Sequence, residues 1–310
     1  MPSVFPLPNG AQIGYEILGS EHLGKGIRPL VFICGMSMRY GEWDPLSKPL
    51  ARKRPVLLFD NRDFGASIVK TSAREEFTIA TLAADAVSLI EHLGWKSVDF
   101  CGFSMGGGIL QQILITTPLP FTIGHAVLAA TTTKAPHGDP EFLQYMSKIF
   151  HRAQQSGVRL TDAQRAEFTR EIGELNYDKE WLKDPINKAK FERSLPTELT
   201  GRPVKVIARQ AQALAATDVR SSLPRISSGV RILVIHGTLD RLIHYAESEY
   251  IMRGIPHARR VTVDPSRQIP GSVPTDQFGH FWFQYFDTDV WMSVMEPFLD
   301  DLPTIDKAKL

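Results

Sequence analysis

The chain has 310 residues, 43% of them hydrophobic and 22% charged, and a formal net charge of +1. That balance gives no electrostatic case for nucleic acid or an anionic membrane surface as a partner. The length suffices for one large core, or for a core domain that carries an insertion.

The first residues, Met1-Pro2-Ser3-Val4-Phe5-Pro6, lack the basic start and apolar stretch of a secretory signal, so none is expected. Asn9-Gly10 is a hairpin-turn signal ahead of a strand over 11–18. Residues 30–34 are continuously apolar and end at Gly35, the pattern of a strand covered on both faces. A loop and short helix over 42–54 follow. A second buried strand over 55–59 then ends in Asp60-Asn61-Arg62-Asp63-Phe64-Gly65-Ala66-Ser67. The clearest helix spans 78–93, where Ile79, Leu82, Ala83, Ala86, Val87, Ile90 and Leu93 share one face. Thr78 suits its N-cap, and Gly94 ends it.

Residues 97–101 read as a strand and 109–115 as a helix. Between them lies Gly102-Phe103-Ser104-Met105-Gly106, a G-x-S-x-G turn that lifts a serine hydroxyl clear of a sheet edge. The small flanking residues avoid collisions there. The N–H of Met105 and the helix N-terminus behind it favour a developing negative charge. A strand over 126–130 ends in three threonines. From 134 to 228 strand signals vanish and two amphipathic helical faces dominate. One contains Phe142, Tyr145, Met146, Ile149, Phe150 and Ala153; the other contains Val204, Ile207, Ala208, Ala211, Leu214 and Ala215. Pro185, Pro196 and Pro203 break the segment. It reads as a helical insertion (134–228) into a core made of 1–133 and 229–310.

The sheet resumes with a strand over 231–235, followed by His236-Gly237-Thr238-Leu239-Asp240. A helix over 244–255, a strand over 259–263 and a Pro/Gly-rich loop over 264–279 lead to His280. A last helix covers 289–299, with Pro297 expected to kink its end. Strands alternating with helices mean an α/β fold with a mainly parallel sheet.

Serine is a weak nucleophile until a base takes its proton, and histidine is suited to that by its pKa. Of nine histidines, the late, loop-borne His280 is the candidate base, and His236 reads as a hydrogen-bonded structural residue. Asp240 is the candidate acid, with Asp264 as its rival. Asp60 and Arg62 read as a structural loop pair. Met36, Met105, Phe103, Trp43, Phe281, Trp282 and Phe283 suggest an apolar pocket. No Lys or Arg sits beside these motifs except Arg39 and Arg241, which disfavours a highly anionic substrate.

Together these residues resemble the α/β-hydrolase superfamily over nearly the whole chain. The order nucleophile, acid, histidine is the one that fold uses. The resemblance implies an eight-stranded, mostly parallel sheet with helices on both faces and an inserted α-helical cap. Ser104 matches the nucleophile, Asp240 the acid and His280 the base. Cys34-Gly35-Met36 matches the oxyanion loop, which makes the N–H groups of Met36 and Met105 the oxyanion hole; Cys34 replaces the usual His. Gly35, Trp43, Phe103, Phe281 and Trp282 are the substrate-binding candidates. Asp60-x-Arg62-x-x-Gly65-x-Ser67 is similar to a run in esterase-, lactonase- and haloperoxidase-like members, with Asp63 in place of its first Gly.

The implied activity is hydrolysis of a carboxylic ester or lactone with an apolar acyl group through an acyl-enzyme. Two alternatives stay open: carbon–carbon bond (β-diketone) hydrolysis or acyl transfer on the same triad, and a ligand receptor with slow turnover. An epoxide hydrolase or dehalogenase would carry Asp at position 104. No cofactor or metal is expected; metal binding by Cys in particular is disfavoured, since no Cys-x-x-Cys or Cys/His cluster exists. Cys34 and Cys101 read as buried free thiols of a reducing compartment. That fits a cytoplasmic location, or a peroxisomal one if Ala308-Lys309-Leu310 serves as an import address.

Overall fold

A computed structural model describes residues 2–68, 76–155, 161–195 and 201–301. The chain begins with a hairpin, β1 (Ser3–Pro6) and β2 (Gln12–Leu18), paired antiparallel. Its turn is fixed by Asn9, whose side-chain oxygen accepts from Ala11 N at 3.0 Å, and by Gly10 at φ +85°. β3 (Leu30–Ile33), α1 (Asp44–Ala51), β4 (Val56–Phe59), α2 (Ile79–His92), β5 (Ser97–Phe103), α3 (Met105–Ile115) and β6 (Thr122–Ala129) follow. Four helices stand next: α4 (Pro140–Gln154), α5 (Asp162–Leu175), α6 (Pro185–Ser194) and α7 (Val204–Ala215). The chain then returns to the sheet with β7 (Arg231–Ile235), α8 (Ala246–Gly254) and β8 (Arg259–Arg260). It ends with β9 (Thr262–Val263), β10 (Ser272–Val273) and α9 (Thr288–Leu299).

Eight strands form one sheet in the order β1-β2-β4-β3-β5-β6-β7-β8. All neighbours from β4 to β8 run parallel, while β1–β2 and β2–β4 pair antiparallel. Successive side chains of each strand alternate between two cores, as the period of two demands. Val31, Ile33, Val98, Phe100, Ile232 and Val234 pack beneath α2, α3 and α8. Phe32, Cys101, Phe103, Val127, Leu233 and Ile235 pack beneath α1 and α9. Because both faces are covered, these strands read as unbroken apolar runs. A third cluster joins α4 and α7 to Phe64 and Leu242, over the C-terminal edge of the strands. That is the edge where ligands of open α/β sheets bind.

Local chemistry sets the element ends. Thr78 accepts from Thr81 N at 3.1 Å and caps α2. Asp184 accepts from Ile186 N at 2.8 Å and starts α6, with Pro185 in its first turn.

Two expectations change. β1 was unmarked in the sequence: it is four residues long and mostly exposed, and it gains its pairing from β2. The strand expected over 259–263 divides. Val261 N still bonds Val234 O at 3.0 Å, but Thr262 and Val263 leave the main sheet and pair with β10, inside the segment expected as loop. The last helix ends at Leu299 as expected, with Pro297 inside it. Pro196 and the tripeptide Ala308-Lys309-Leu310 lie outside the described residues. No described helix is long and apolar enough to cross a membrane. Among the described residues no group of His, Cys, Asp and Glu could hold a metal ion, and both cysteines are buried free thiols.

Candidate active site

Ser104 occupies the turn between β5 and α3 with φ +55° and ψ −121°, a backbone conformation that L residues rarely adopt. The turn is over-determined. Ser104 N donates to Ala129 O at 2.9 Å, and Ser104 O accepts from Gly107 N at 2.9 Å and Thr131 Oγ1 at 2.7 Å. Both motif glycines are required by close approach. A Cβ on Gly102 would stand 2.5 Å from Gly106 O, and one on Gly106 would stand 2.2 Å from Ile33 O. The hydroxyl is thereby held at the edge of the sheet, over the end of β3.

Asp240 follows β7, and His280 follows the loop after β10. His280 Nδ1 lies 2.7 Å from Asp240 Oδ2, and His280 Nε2 lies 3.0 Å from Ser104 Oγ. All three side chains are nearly inaccessible to solvent; Ser104, the most exposed, is at 8%. Asp240 Oδ1 accepts from Leu242 N and Ile243 N, each at 2.9 Å. Burial pushes the Asp240 carboxyl pKa up. The charge on His280 and the hydrogen bonds from His236 and His280 outweigh that, and the carboxyl sits well below the usual carboxylate range. A buried carboxylate that remains charged needs such partners. The arrangement can fix one tautomer of His280, with Nδ1–H toward Asp240 and the Nε2 lone pair toward Ser104. The rival Asp264 is committed elsewhere, accepting from Ser266 Oγ at 2.7 Å and Ile269 N at 2.8 Å.

Met105 opens α3, so its N–H has no partner within the helix. Met36 lies in the loop after β3 and lines the same cavity as Ser104. The Met105 side chain itself is buried in the core beneath α2 and α3.

Ser104 and His280 line a cavity of about 110 Å³. Its walls come from the loop after β3, from α4, α5, α6 and α7, and from Phe281. Phe142, Tyr145, Ile149 and Leu214 make it largely apolar. Met36, Phe103 and Phe281 are in the lining, and Phe103 also packs on His280 with ring centroids 4.8 Å apart.

Three of the five substrate-binding candidates, Trp43, Trp282 and Gly35, lie outside the cavity lining. Trp43 is fully buried between Phe32, Phe103 and Phe283, and Trp282 is fully buried against Trp291 and Phe283. Neither lines the cavity; both are too deep in the core beneath α9 and support the wall from behind. Phe283 shares that position. Gly35 is likewise outside the lining, and its role is contact: a Cβ there would stand 3.1 Å from the Phe103 ring and 3.2 Å from Ser104 Cβ.

The loop pair Asp60 and Arg62 also takes other partners. Asp60 accepts from Tyr40 N and Ala66 N, each at 2.7 Å, while Arg62 grips Asp85 of α2 with Nε at 2.5 Å. No local sequence signal marks the arginines that reach the cavity. Arg165 and Arg202 line it from the helical segment, as does Asn176. Arg202 is paired with Glu42 at 2.5 Å and Arg165 with Asp162. Arg241, which the sequence placed beside the acid, is turned to Asp139 at 3.1 Å. His236 touches the site as well: its Nε2 lies 2.8 Å from Ile243 O and 3.3 Å from Asp240 Oδ2.

Comparison with known proteins agrees with this fold. Residues 28–270 match the family model for the alpha/beta hydrolase fold. The chain is 25% identical over 246 residues to 3-oxoadipate enol-lactonase 2 of Acinetobacter baylyi, covering 78% of this chain and 83% of the relative. Among solved structures, the enol-lactonase from Burkholderia xenovorans superposes with a TM-score of 0.70 at 21% identity, over 96% of this chain and 100% of that one. An esterase from Exiguobacterium antarcticum does so with a TM-score of 0.71 at 20% identity, over 97% and 100%. The chain belongs to the alpha/beta hydrolase fold family.

Proposed function

We propose that the protein is a serine hydrolase that cleaves a carboxylic ester or lactone with an apolar acyl group. The observation that carries this reading is the relay from Asp240 through His280 to Ser104, at 2.7 and 3.0 Å, opening into an apolar chamber. Ser104 Oγ attacks the carbonyl carbon as His280 Nε2 takes its proton. The carbonyl oxygen, now negative, is held by the N–H groups of Met36 and Met105; one such donor is worth about 3–4 kcal/mol. Asp240, kept ionised, stabilises the imidazolium. His280 then gives its proton to the leaving alkoxide, which departs and leaves an acyl-Ser104 ester. Water, deprotonated by the same histidine, releases the acid and restores Ser104.

The cavity volume bears on the substrate. One water-sized group needs about 10–15 Å³ of such space, so 110 Å³ suits a small to medium acyl group rather than a long fatty chain. The family resemblance to an enol-lactonase supports extending the reading to lactones. The helices α4 to α7, from 134–228, act as the cap that walls this chamber.

The test is turnover of p-nitrophenyl esters from acetate to octanoate, of simple lactones and of β-diketones. Saturable ester or lactone hydrolysis that vanishes in Ser104→Ala is expected. Turnover of diketones alone, or ligand binding without turnover, would contradict the reading.

A further inference from the structure

Ser37 directly follows Met36 and has φ +62°, a left-handed conformation in a residue other than glycine. Such a conformation persists only where the surroundings hold it. Both of its backbone groups are held, and both by the helical segment between β6 and β7. Ser37 N donates to Gln210 Oε1 of α7 at 2.9 Å, and Ser37 O accepts from Arg202 Nη1. Arg202 Nη2 also donates at 2.5 Å to Glu42 Oε1, which in turn accepts from Arg39 N at 2.9 Å. The clamp is buried: Gln210 is 1% exposed and the Arg202 side chain 10%. The Gln210 amide can sit only one way round, since its oxygen must face the Ser37 N–H; its Nε2 is left buried without a partner. A buried amide with half its capacity unused is costly, and the bond to Ser37 is what it delivers.

We infer that Gln210 and Arg202 are positioning residues that set the Met36 N–H in the oxyanion hole, so that docking of α7 and the preceding turn completes the catalytic site. The two bonds hold the peptides on either side of Ser37; this anchors the C-terminal side of Met36, one Cα away from the Gly35–Met36 peptide whose N–H is the donor. An oxyanion donor works only when aimed at the position the oxygen reaches in the transition state. Substrate in the ground state does not need that aim, so loss of the clamp acts on turnover rather than on binding. This inference rests on the proposed serine-hydrolase reading.

The experiment compares wild type, Gln210→Met, Arg202→Met, Gln210→Glu and Ser104→Ala on one p-nitrophenyl ester. Rates are referred to active sites counted by the p-nitrophenol burst from diethyl p-nitrophenyl phosphate. Gln210→Met and Arg202→Met are expected to lower kcat by about 10- to 100-fold with KM within about threefold. Both should weaken a trifluoromethyl ketone inhibitor by a similar factor, and Gln210→Met, which lies outside the cavity lining, should leave the product carboxylate's inhibition constant unchanged. Gln210→Glu, which keeps an acceptor at Ser37 N, should retain most of kcat. Where Gln210→Met yields no folded protein, kcat and the ketone's inhibition constant in Arg202→Met, set against KM for the uncharged ester, decide. Wild-type kcat in both Met variants, or equal weakening of both inhibitors by Gln210→Met, would overturn the clamp while leaving the serine mechanism standing. Full activity in Ser104→Ala would instead remove the reading on which it rests.

Discussion

Replacing Asp240 with Asn tests the relay at its buried end. The carboxylate receives Leu242 N and Ile243 N on Oδ1, and His280 Nδ1 and His236 Nε2 on Oδ2. An amide at this position keeps its oxygen toward the two backbone donors and turns its NH₂ toward His280. Two donors cannot face each other, so His280 must present a bare Nδ1 to the amide and Nε2–H to Ser104. In that tautomer it cannot take the serine's proton. A triad locked this way loses about 10⁴ in kcat, or about 5.4 kcal/mol of barrier at 1.36 kcal/mol per tenfold. The assay is p-nitrophenyl ester hydrolysis at pH 7 per folded protein, with KM expected to change little. An Asp240→Asn protein that keeps more than about a tenth of wild-type kcat would refute the tautomer argument. The same substitution has a stability signature with a definite sign. The folded Asp240 carboxyl lies below its unfolded value of about 3.9. Its contribution is therefore present above that pH and is lost as pH falls through the folded value. The gap in urea midpoint between wild type and Asp240→Asn should narrow below about pH 4. A gap that stays constant from neutral to strongly acid pH would contradict the assignment.

Gly106→Ala should cost about 1–3 kcal/mol of stability and about 100-fold in kcat, because its Cβ meets Ile33 O and Cys34 O and must displace the elbow or the oxyanion loop. Urea unfolding and burst-normalised turnover measure both, and wild-type values in either would show that the approach is looser than the geometry states. Ile149→Trp, on the α4 wall, should leave butyrate-ester kcat/KM within about threefold and cut octanoate by about tenfold or more. An unchanged ratio would place the acyl group elsewhere. Asp85→Asn should destabilise by about 3–5 kcal/mol, since the Arg62 guanidinium remains buried without its carboxylate. A urea midpoint equal to wild type would show that the pair carries no such weight.

The parts of the fold legible in the sequence are those with strong local signals. The strands around Phe32, Leu58 and Val234 read as unbroken apolar runs because helices cover both faces of the sheet. The α2 helix shows its capping threonine and its apolar stripe together. Ser104 was legible because the turn that presents it demands small residues at 102 and 106. What the sequence left hidden depends on contacts between distant segments. Trp43 and Trp282 carry the residue type expected of a pocket wall, yet packing depth puts them behind Phe103 and Phe281. Arg202 and Gln210 lie more than 160 positions from Ser37, and only the docking of α7 brings them to it. β9 and β10 are two residues each, too short to produce any periodicity.

The central claim is that Ser104 is the group that becomes acylated. Treatment with a fluorophosphonate, followed by intact mass and peptide mapping, measures this directly. The account predicts one adduct per chain, located on Ser104, absent in Ser104→Ala and matched by loss of ester hydrolysis. Persistent hydrolysis in an unlabelled protein, or a stoichiometric adduct on another residue, would contradict it.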